Sequence, residues 1–135
     1  MMKRVAFALL LAAVALAGEE KQGWLGMAST RHHDDQQHWL HVRFVIDDSP
    51  AAKAGMRADD VVTAIDGKPP RFRDDLDWIE FLGRIRPGQR MTFTILRRGK
   101  TLRLTVRADV MPAQYRELWN RTVDAARRRR QAGSS

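Results

Sequence analysis

The sequence predicts an α+β fold in which antiparallel strands pack with two helices, followed by a further helix near the C-terminal end. Three stretches carry this prediction. Residues 49–67 have the pattern of a short helix, a turn and a strand, and residues 74–85 have that of a longer helix. Residues 91–108 alternate between apolar and polar side chains on both sides of Arg98-Gly99, as an antiparallel hairpin does. The 135 residues suit one domain with a modest core.

The N-terminal segment has the pattern of an export signal. Lys3 and Arg4 precede thirteen uncharged apolar residues that end at Ala17. That run is short for a membrane span, and Ala15-Leu16-Ala17 supplies the small residues of a cleavage site. A buried or anchoring helix is the alternative, and the short run argues against it. We predict a signal peptide over residues 1–17, cleavage near Ala17, a short flexible segment over 18–22, and a periplasmic or secreted product.

Composition narrows the function further. The formal net charge is +8, and the predicted mature chain keeps +6. Because the chain is predicted to be exported, we do not expect its positive charge to bind nucleic acid. The chain has no cysteine, which excludes disulfides, thiol nucleophiles and cysteine metal sites.

Residues 49–67 carry the most specific local pattern. Pro50 suits the first turn of a helix, where its missing N–H costs no hydrogen bond, and Gly55 suits the left-handed residue that ends a helix. An apolar, β-favouring run follows, and Asp66-Gly67 turns it back. The run consists of Val61, Val62, Ala64 and Ile65.

This stretch resembles the PDZ domain of bacterial high-temperature-requirement envelope serine proteases. The usual sequence pattern of that domain is close to Ser-Pro-Ala-x-x-Ala-Gly-Leu-x-x-Gly-Asp-x-Ile-x-x-Ile-Asp-Gly. The resemblance covers about residues 23–110, and we place the domain at 23–111. It implies a PDZ-like, partly open antiparallel β-barrel or sandwich of five to six strands with two helices, to which residues 112–135 add a C-terminal helix. Asp59 departs from the pattern, because the family has Gly there and Asp tolerates positive φ less well.

The resemblance implies a carboxylate-binding loop at Trp24, Leu25, Gly26 and Met27, just before the strand that receives a ligand. Consecutive backbone N–H groups in a tight Gly-containing turn form a concave site for an anion. Leu25 and Met27 are expected to wall a pocket for the ligand's last side chain, and Ala28 and Ser29 to continue the strand. An ordinary strand start with one Gly is the alternative.

The helix predicted over residues 74–85 is expected to form the other side of the groove. Its apolar residues cover a wide face that needs more than one surface to bury it. Spacing assigns Ile79 and Leu82 to the groove, with Asp75 and Leu76 at its edge. Three further residues are assigned to the core: Trp78, Phe81 and Ile85. The alternative is a wholly buried helix covered by the C-terminal tail.

Residues 31–37 contain no apolar side chain and read as an exposed hairpin loop before a strand over 40–46. The loop and its flank could supply metal ligands from His32, His33, Asp34 and His38. No ligand spacing fixes a geometry there, so a solvated loop is preferred.

Residues 112–135 lie outside the family pattern. Apolar residues recur at helical spacing, and four arginines follow before an end that we expect to be disordered from Gln131. The apolar positions are Tyr115, Leu118, Trp119 and Val123. The helix could dock on the domain and bury Trp119, enter the groove, bind a partner, or attach to an anionic membrane surface. The last role would use Arg127, Arg128, Arg129 and Arg130.

The sequence predicts binding rather than catalysis. None of the four mature serines lies in a Gly-x-Ser-Gly context, no phosphate-binding loop is present, and no cofactor is expected. We therefore predict a non-catalytic, stand-alone module that binds extended peptides or protein C-termini by strand addition, with an envelope protease or its substrates as partners. Two alternatives stay open. One is an envelope scaffold held by its basic helix with the groove self-occupied, and the other is a metalloenzyme at the histidines.

Overall fold

The structure is a computed structural model that describes residues 21–133. The predicted signal peptide, its cleavage site and most of the predicted flexible segment lie outside the described residues, as do Ser134 and Ser135. Between residues 21 and 133, no helix has the length and apolar character needed to cross a membrane.

Within residues 21–133, seven strands and three helices follow one another. The strands are β1 (Gly23–Trp24), β2 (Met27–His33), β3 (His38–Val45), β4 (Val61–Ile65), β5 (Arg90–Arg97), β6 (Lys100–Arg107) and β7 (Asp109–Val110). The helices are α1 (Pro50–Lys53), α2 (Asp75–Gly83) and α3 (Ala113–Gly133).

Strands β2 to β6 form an antiparallel five-stranded sheet in the order β2-β3-β4-β5-β6, and β1 pairs with β7 as a separate two-stranded ribbon. The predicted α+β, PDZ-like fold is confirmed. The sheet is open and does not close into a barrel. It therefore has two edges, β2 and β6. The β6 edge exposes Lys100, Arg103 and Arg107 to solvent.

The local chemistry of residues 49–67 explains their conformation. Ser49 caps α1, with its side chain accepting a hydrogen bond from the Ala52 N–H, and Gly55 follows the helix at φ +92°. Asp59, which replaces the family's Gly, has φ +73°. Its carboxylate lies 2.9 Å from His41 Nε2, and its N–H donates to the Val42 carbonyl. The turn thus keeps the positive φ and adds a side-chain contact to β3.

The core lies between the sheet and α1 and α2. Its innermost side chains are 0% exposed and come from the sheet: Leu40, Val42, Val62, Phe93, Ile95 and Val106. Trp78 of α2 and Ile85, two residues after the end of α2, join this cluster, and Phe81 packs against it, as the spacing predicted.

The hairpin between β2 and β3 is tighter than predicted. Arg31 to His33 belong to β2, so that the turn is confined to residues 34–37, where the Asp34 carboxylate accepts hydrogen bonds from the Gln36 and Gln37 N–H groups. The expected loop over 31–37 was too long because Arg31, His32 and His33, although polar, pair with Leu40, Trp39 and His38 and so continue the ladder.

Helix α3 packs on α2. Ala126 is 2% exposed and contacts Leu76 and Ile79, while Trp119 and Val123 are partly buried on the same cluster. The helix also continues to Gly133, which differs from the expected disorder beginning at Gln131. Arg130, one of the four arginines considered for attachment to an anionic surface, instead contacts Asp74 and Asp77.

Candidate peptide-binding groove

A groove of about 370 Å³ lies between the β2 edge, α2 and α3. Its lining is mostly apolar, and most of it comes from these three elements. The residues that line it are Trp24, Met27, Ala28, Ser29, Thr30, Phe44, Ile46, Asp75, Trp78, Ile79, Leu82, Met111, Tyr115, Leu118, Trp119, Thr122 and Arg129.

The β2 side offers backbone groups. Within residues 21–133, β2 pairs only with β3, so its other edge is open along the groove. Ser29 lines the groove, and its Oγ is the one buried side-chain oxygen or nitrogen in the described chain that has no hydrogen-bond partner. A buried unpartnered hydroxyl is costly, so a ligand group or water at this point would be stabilised.

The α2 side supplies apolar contacts. Ile79 and Leu82, together with Asp75, line the groove at the positions that spacing assigned to it. Trp78, assigned to the core, is 6% exposed and forms part of both core and groove. Leu76 does not line the groove, because Ala126 of α3 covers it, and it is only 6% exposed.

The loop before β2 is held rigidly at one end of the groove. The Leu25 carbonyl accepts a hydrogen bond from the Ala51 N–H, and the Gly26 carbonyl accepts one from the Ile46 N–H, each at 2.8 Å. Within the described part of the chain, the N–H groups of Leu25 and Gly26 donate no hydrogen bond. Trp24 and Met27 line the groove, whereas the Leu25 side chain is 4% exposed and packs in the core. Leu25 can therefore serve a ligand only through its backbone.

Position 26 of this loop has no room for a side chain. Gly26 has φ +79°, and a Cβ added there would lie 2.1 Å from Ser49 Cβ. The absence of a side chain lets the loop pass directly over the buried N-cap of α1.

Phe44 faces the groove because of a β-bulge. Ala28 pairs with Phe44 but Ser29 pairs with Val42, so Arg43 has no partner in the β2–β3 ladder. The extra residue changes the phase of the alternation, leaving Phe44 54% exposed although Leu40 and Val42 are buried. The alternation of buried and exposed side chains along residues 40–46 therefore breaks at this point.

Helix α3 adds a third side to the groove. The Tyr115 ring stacks on Trp24 with centroids 5.4 Å apart, next to the loop. Leu118, 61% exposed, and Trp119 follow along the mouth of the groove.

Charged residues mark the end of the groove remote from the loop. Arg31 Nε lies 2.9 Å from one Asp75 carboxylate oxygen, and an Arg129 nitrogen lies 3.7 Å from the other. Two guanidinium groups therefore share one carboxylate. This end of the groove carries an excess of positive charge.

Arg130 fixes α3 to the start of α2. Its guanidinium donates to both Asp74 oxygens, at 2.7 and 2.6 Å, and to Asp77 at 2.6 Å. The hydrogen bonds from Arg130 lower the pKa of Asp74 to about 2. The Asp77 carboxylate accepts hydrogen bonds from Arg73, which has the larger effect, and from Arg130. These bonds hold the pKa of Asp77 well below the usual range. Both carboxylates are thus ionised over the whole neutral and mildly acidic range.

The histidines lie on the β2–β3 hairpin, away from the groove lining. His33 stacks on His38, and His32 on Trp39, with centroids 5.4 and 5.8 Å apart. Among residues 21–133, no three His, Asp or Glu side chains converge in a way that could hold a metal ion.

Sequence reasoning missed the contributions of Phe44 and of the whole α3 wall. A bulge leaves no sequence signature in β3, so nothing marked Phe44 as a groove residue. The apolar spacing of α3 was visible, but it did not specify which surface the helix would cover.

Comparisons with known proteins cover most of the described chain. The family model for the PDZ domain matches residues 23–108. A probable periplasmic serine endoprotease, DegP-like, from Pseudomonas fulva is 32% identical over 105 residues, covering 72% of this chain and 22% of the relative. Its counterpart from Brucella suis is 38% identical over 103 residues, covering 70% and 20%. This chain thus spans about a fifth of the length of these relatives.

Solved structures show the same fold. The HtrA-type protease AlgW with a decapeptide matches with a TM-score of 0.56 and 26% identity, over 68% of this chain and 30% of that one. The same protease with a tripeptide matches with a TM-score of 0.59 and 25% identity, over 76% and 36%. The predicted resemblance is confirmed: the chain belongs to the PDZ domain family.

Proposed function

We propose that this protein is a non-catalytic module that binds the C-terminal end of an extended peptide in the groove between β2 and α2. The observation that carries the proposal is an open strand edge beside an apolar groove, with a loop at one end that is anchored by two hydrogen bonds. In this loop, two backbone N–H groups donate no hydrogen bond within residues 21–133, so they are available to a ligand. The peptide would add to β2 as an antiparallel strand, because main-chain hydrogen bonds along the edge supply affinity without requiring a particular sequence.

The ligand carboxylate would lie on the loop of residues 24–27. The Leu25 and Gly26 N–H groups are the donors, and the two anchored carbonyls keep them in place. Met27, Ile79 and Leu82 would contact the last side chain of the ligand, which favours an apolar residue there. Ala28 and Ser29 would lie alongside the preceding residues.

The relatives support a location and a partner class. Their names describe periplasmic serine endoproteases, and the related structures carry bound peptides. We propose a periplasmic protein that presents substrates to an envelope protease or regulates one. Because the match lies in the PDZ region, the proteolytic activity of the relatives is not transferred to this chain.

Attachment to an anionic surface through the basic helix is the weaker candidate. Arg127 and Arg128 are exposed and Arg129 is 62% exposed, but Arg130 is engaged with Asp74 and Asp77. The basic cluster is therefore smaller than the sequence indicated. Helix α3 borders the groove through Tyr115, Leu118 and Trp119, but within residues 21–133 no strand pairs with the open edge of β2, so the main-chain groups that strand addition would use stay available.

The test compares peptides that differ only in their terminal group. Labelled octapeptides ending in an apolar residue, with a free carboxylate or a C-terminal amide, are titrated with the protein and followed by fluorescence anisotropy. We expect a Kd on the order of micromolar for the acid, since a short peptide must be ordered on binding, and at least tenfold weaker binding for the amide. Equal affinity for the two forms would remove the loop from the proposal.

A pair of variants locates the binding site. Leu82→Ser places a polar group in the groove, whereas Leu96→Ser changes a 40% exposed leucine on β5. We expect the first substitution to weaken binding of the acid peptide and the second to leave it unchanged. If both variants bound as the unaltered protein does, the ligand would lie elsewhere on the molecule.

A further inference from the structure

Helix α3 changes which residues of a bound peptide the groove can contact. In an extended strand, successive side chains point to opposite faces, so that a groove with two sides contacts every second ligand residue. Here a third side covers the mouth, through Tyr115, Leu118 and Trp119. The ligand residue between two groove-facing ones would meet protein instead of water.

The register of β2 and β3 identifies the surface that this residue would meet. Met27 pairs with Val45, and both pack against the core. The next pair, Ala28 and Phe44, occupies the opposite face of the sheet. A ligand whose last side chain contacts Met27, Ile79 and Leu82 therefore directs its penultimate side chain toward the face of Phe44.

Two of the largest exposed apolar side chains line this part of the groove. Phe44 is 54% exposed and Leu118 is 61% exposed, and both line the groove although they come from different elements. We call Phe44 and Leu118 the apolar pair of the groove mouth. An apolar side chain inserted there would leave water on both sides.

The third wall is fixed at both ends. Tyr115 stacks on Trp24 beside the loop, and Arg130 holds Asp74 and Asp77 at the start of α2. Between these points Ala126 is buried against Leu76 and Ile79. Leu118 is thus presented from a supported helix, which reduces the ordering that a ligand would have to impose.

Charge indicates the residue expected further along the ligand. Arg31 lies four positions beyond Met27 on β2, or about 13 Å along an extended strand. Arg31 and Arg129 share Asp75 there, and the excess positive charge is complementary to an acidic side chain.

We propose that α3 makes this a three-sided groove, which selects C-termini whose last two residues are both apolar and which carry an acidic residue about four positions upstream. This inference rests on the proposed binding of C-terminal peptides. The penultimate residue is read by Phe44 and Leu118.

The test is a comparison of two acid-terminated octapeptides with an acidic residue four positions before the last and an apolar last residue. One has leucine and the other serine at the penultimate position. With the unaltered full chain, we expect the leucine peptide to bind about tenfold more tightly than the serine peptide. This is the ratio of affinities expected when an apolar side chain of moderate size is partly buried. Leu118→Ser should reduce this ratio to about threefold or less. Leu96→Ser is the matched control and should keep the tenfold ratio.

Three results would overturn the inference. The unaltered chain could bind both peptides equally, in which case the proposed function survives and the third wall reads nothing. Leu118→Ser could change the affinity for both peptides by the same factor, which would make α3 a general cover. Sedimentation could show a dimer that Leu118→Ser abolishes, which would assign the apolar pair to a second copy of the chain. Failure of every acid peptide to bind would instead refute the proposed function itself.

Discussion

Replacing Gly26 with alanine tests whether the loop is as tightly built as the structure indicates. The new Cβ would lie 2.1 Å from Ser49 Cβ and 2.7 Å from Ser49 Oγ, so backbone must move. The left-handed conformation at φ +79° adds about 1–2 kcal/mol for any residue with a Cβ. Relief of the overlap adds about 1–3 kcal/mol. We expect Gly26→Ala to lower the free energy of unfolding by about 2–5 kcal/mol in total.

Gly67→Ala provides the matched control. Gly67 has φ +80°, almost the same as Gly26, but a Cβ added there meets nothing within 4 Å. Only the conformational cost of about 1–2 kcal/mol should appear. Thermal unfolding followed by circular dichroism should show a loss of roughly 10–20 °C for Gly26→Ala and roughly 5 °C for Gly67→Ala.

A double variant separates the overlap from the backbone conformation. Ser49→Gly removes both overlapping atoms and, at an N-cap position, costs only a few tenths of a kcal/mol. In that background, Gly26→Ala should cost no more than Gly67→Ala, which gives a coupling free energy of about 1–3 kcal/mol. Equal losses for the two alanine variants, or no rescue by Ser49→Gly, would show that the loop yields easily and would refute the close-packing argument.

Three further predictions concern stability. Deleting residues 112–133 should lower the melting temperature by several degrees, because it exposes Leu76 and Ile79; unchanged melting would show that α3 is not docked. Asp74→Asn keeps the N-cap but removes the charge that Arg130 contacts. The folded-state pKa of Asp74 is about 2, below its usual 3.8, so the stability it adds should be complete above pH 4 and lost as the pH falls toward 2. Urea titrations of both proteins should therefore differ at pH 7 and converge near pH 2; a gap that persists there would assign the effect to something other than the charge. Arg97→Met should lower the free energy of unfolding, measured by urea titration, by about 3–5 kcal/mol. The substitution leaves the carboxylate of Asp60, which is 2% exposed, without its guanidinium partner. The exposed Arg103→Met is its control, and similar losses for the two would contradict this account.

The elements that could be predicted are those whose signals are local. The signals that delimit α1 lie within seven residues: Ser49 caps the helix, Pro50 occupies its first turn, and Gly55 ends it in a left-handed conformation. Arg98-Gly99 likewise turns β5 into β6 through two consecutive positive φ angles. Each of these features depends on neighbours along the chain, so the sequence alone was sufficient.

The groove was only partly predictable because two of its features depend on distant residues. The position of Phe44 follows from a bulge opposite Ala28 and Ser29, and pairing between strands decides where such a bulge falls. The burial of Leu76 and the inward turn of Arg130 join residues about fifty positions apart. The apolar stripe on α3 and the wide apolar face of α2 left open that the tail covers α2, but they did not specify that Leu76 would be buried while Ile79 and Leu82 stay on the groove.

The two edges of the sheet differ in a way that limits assembly. The β6 edge carries Lys100, Arg103 and Arg107 in solvent, and charged side chains of this kind oppose pairing with another strand. The β2 edge borders an apolar groove. A sheet with two receptive edges could pass strand addition from molecule to molecule and grow into a fibre. Because the charged β6 edge opposes pairing, a strand that added to β2 would not be followed by a second addition at β6, which opposes growth of this kind.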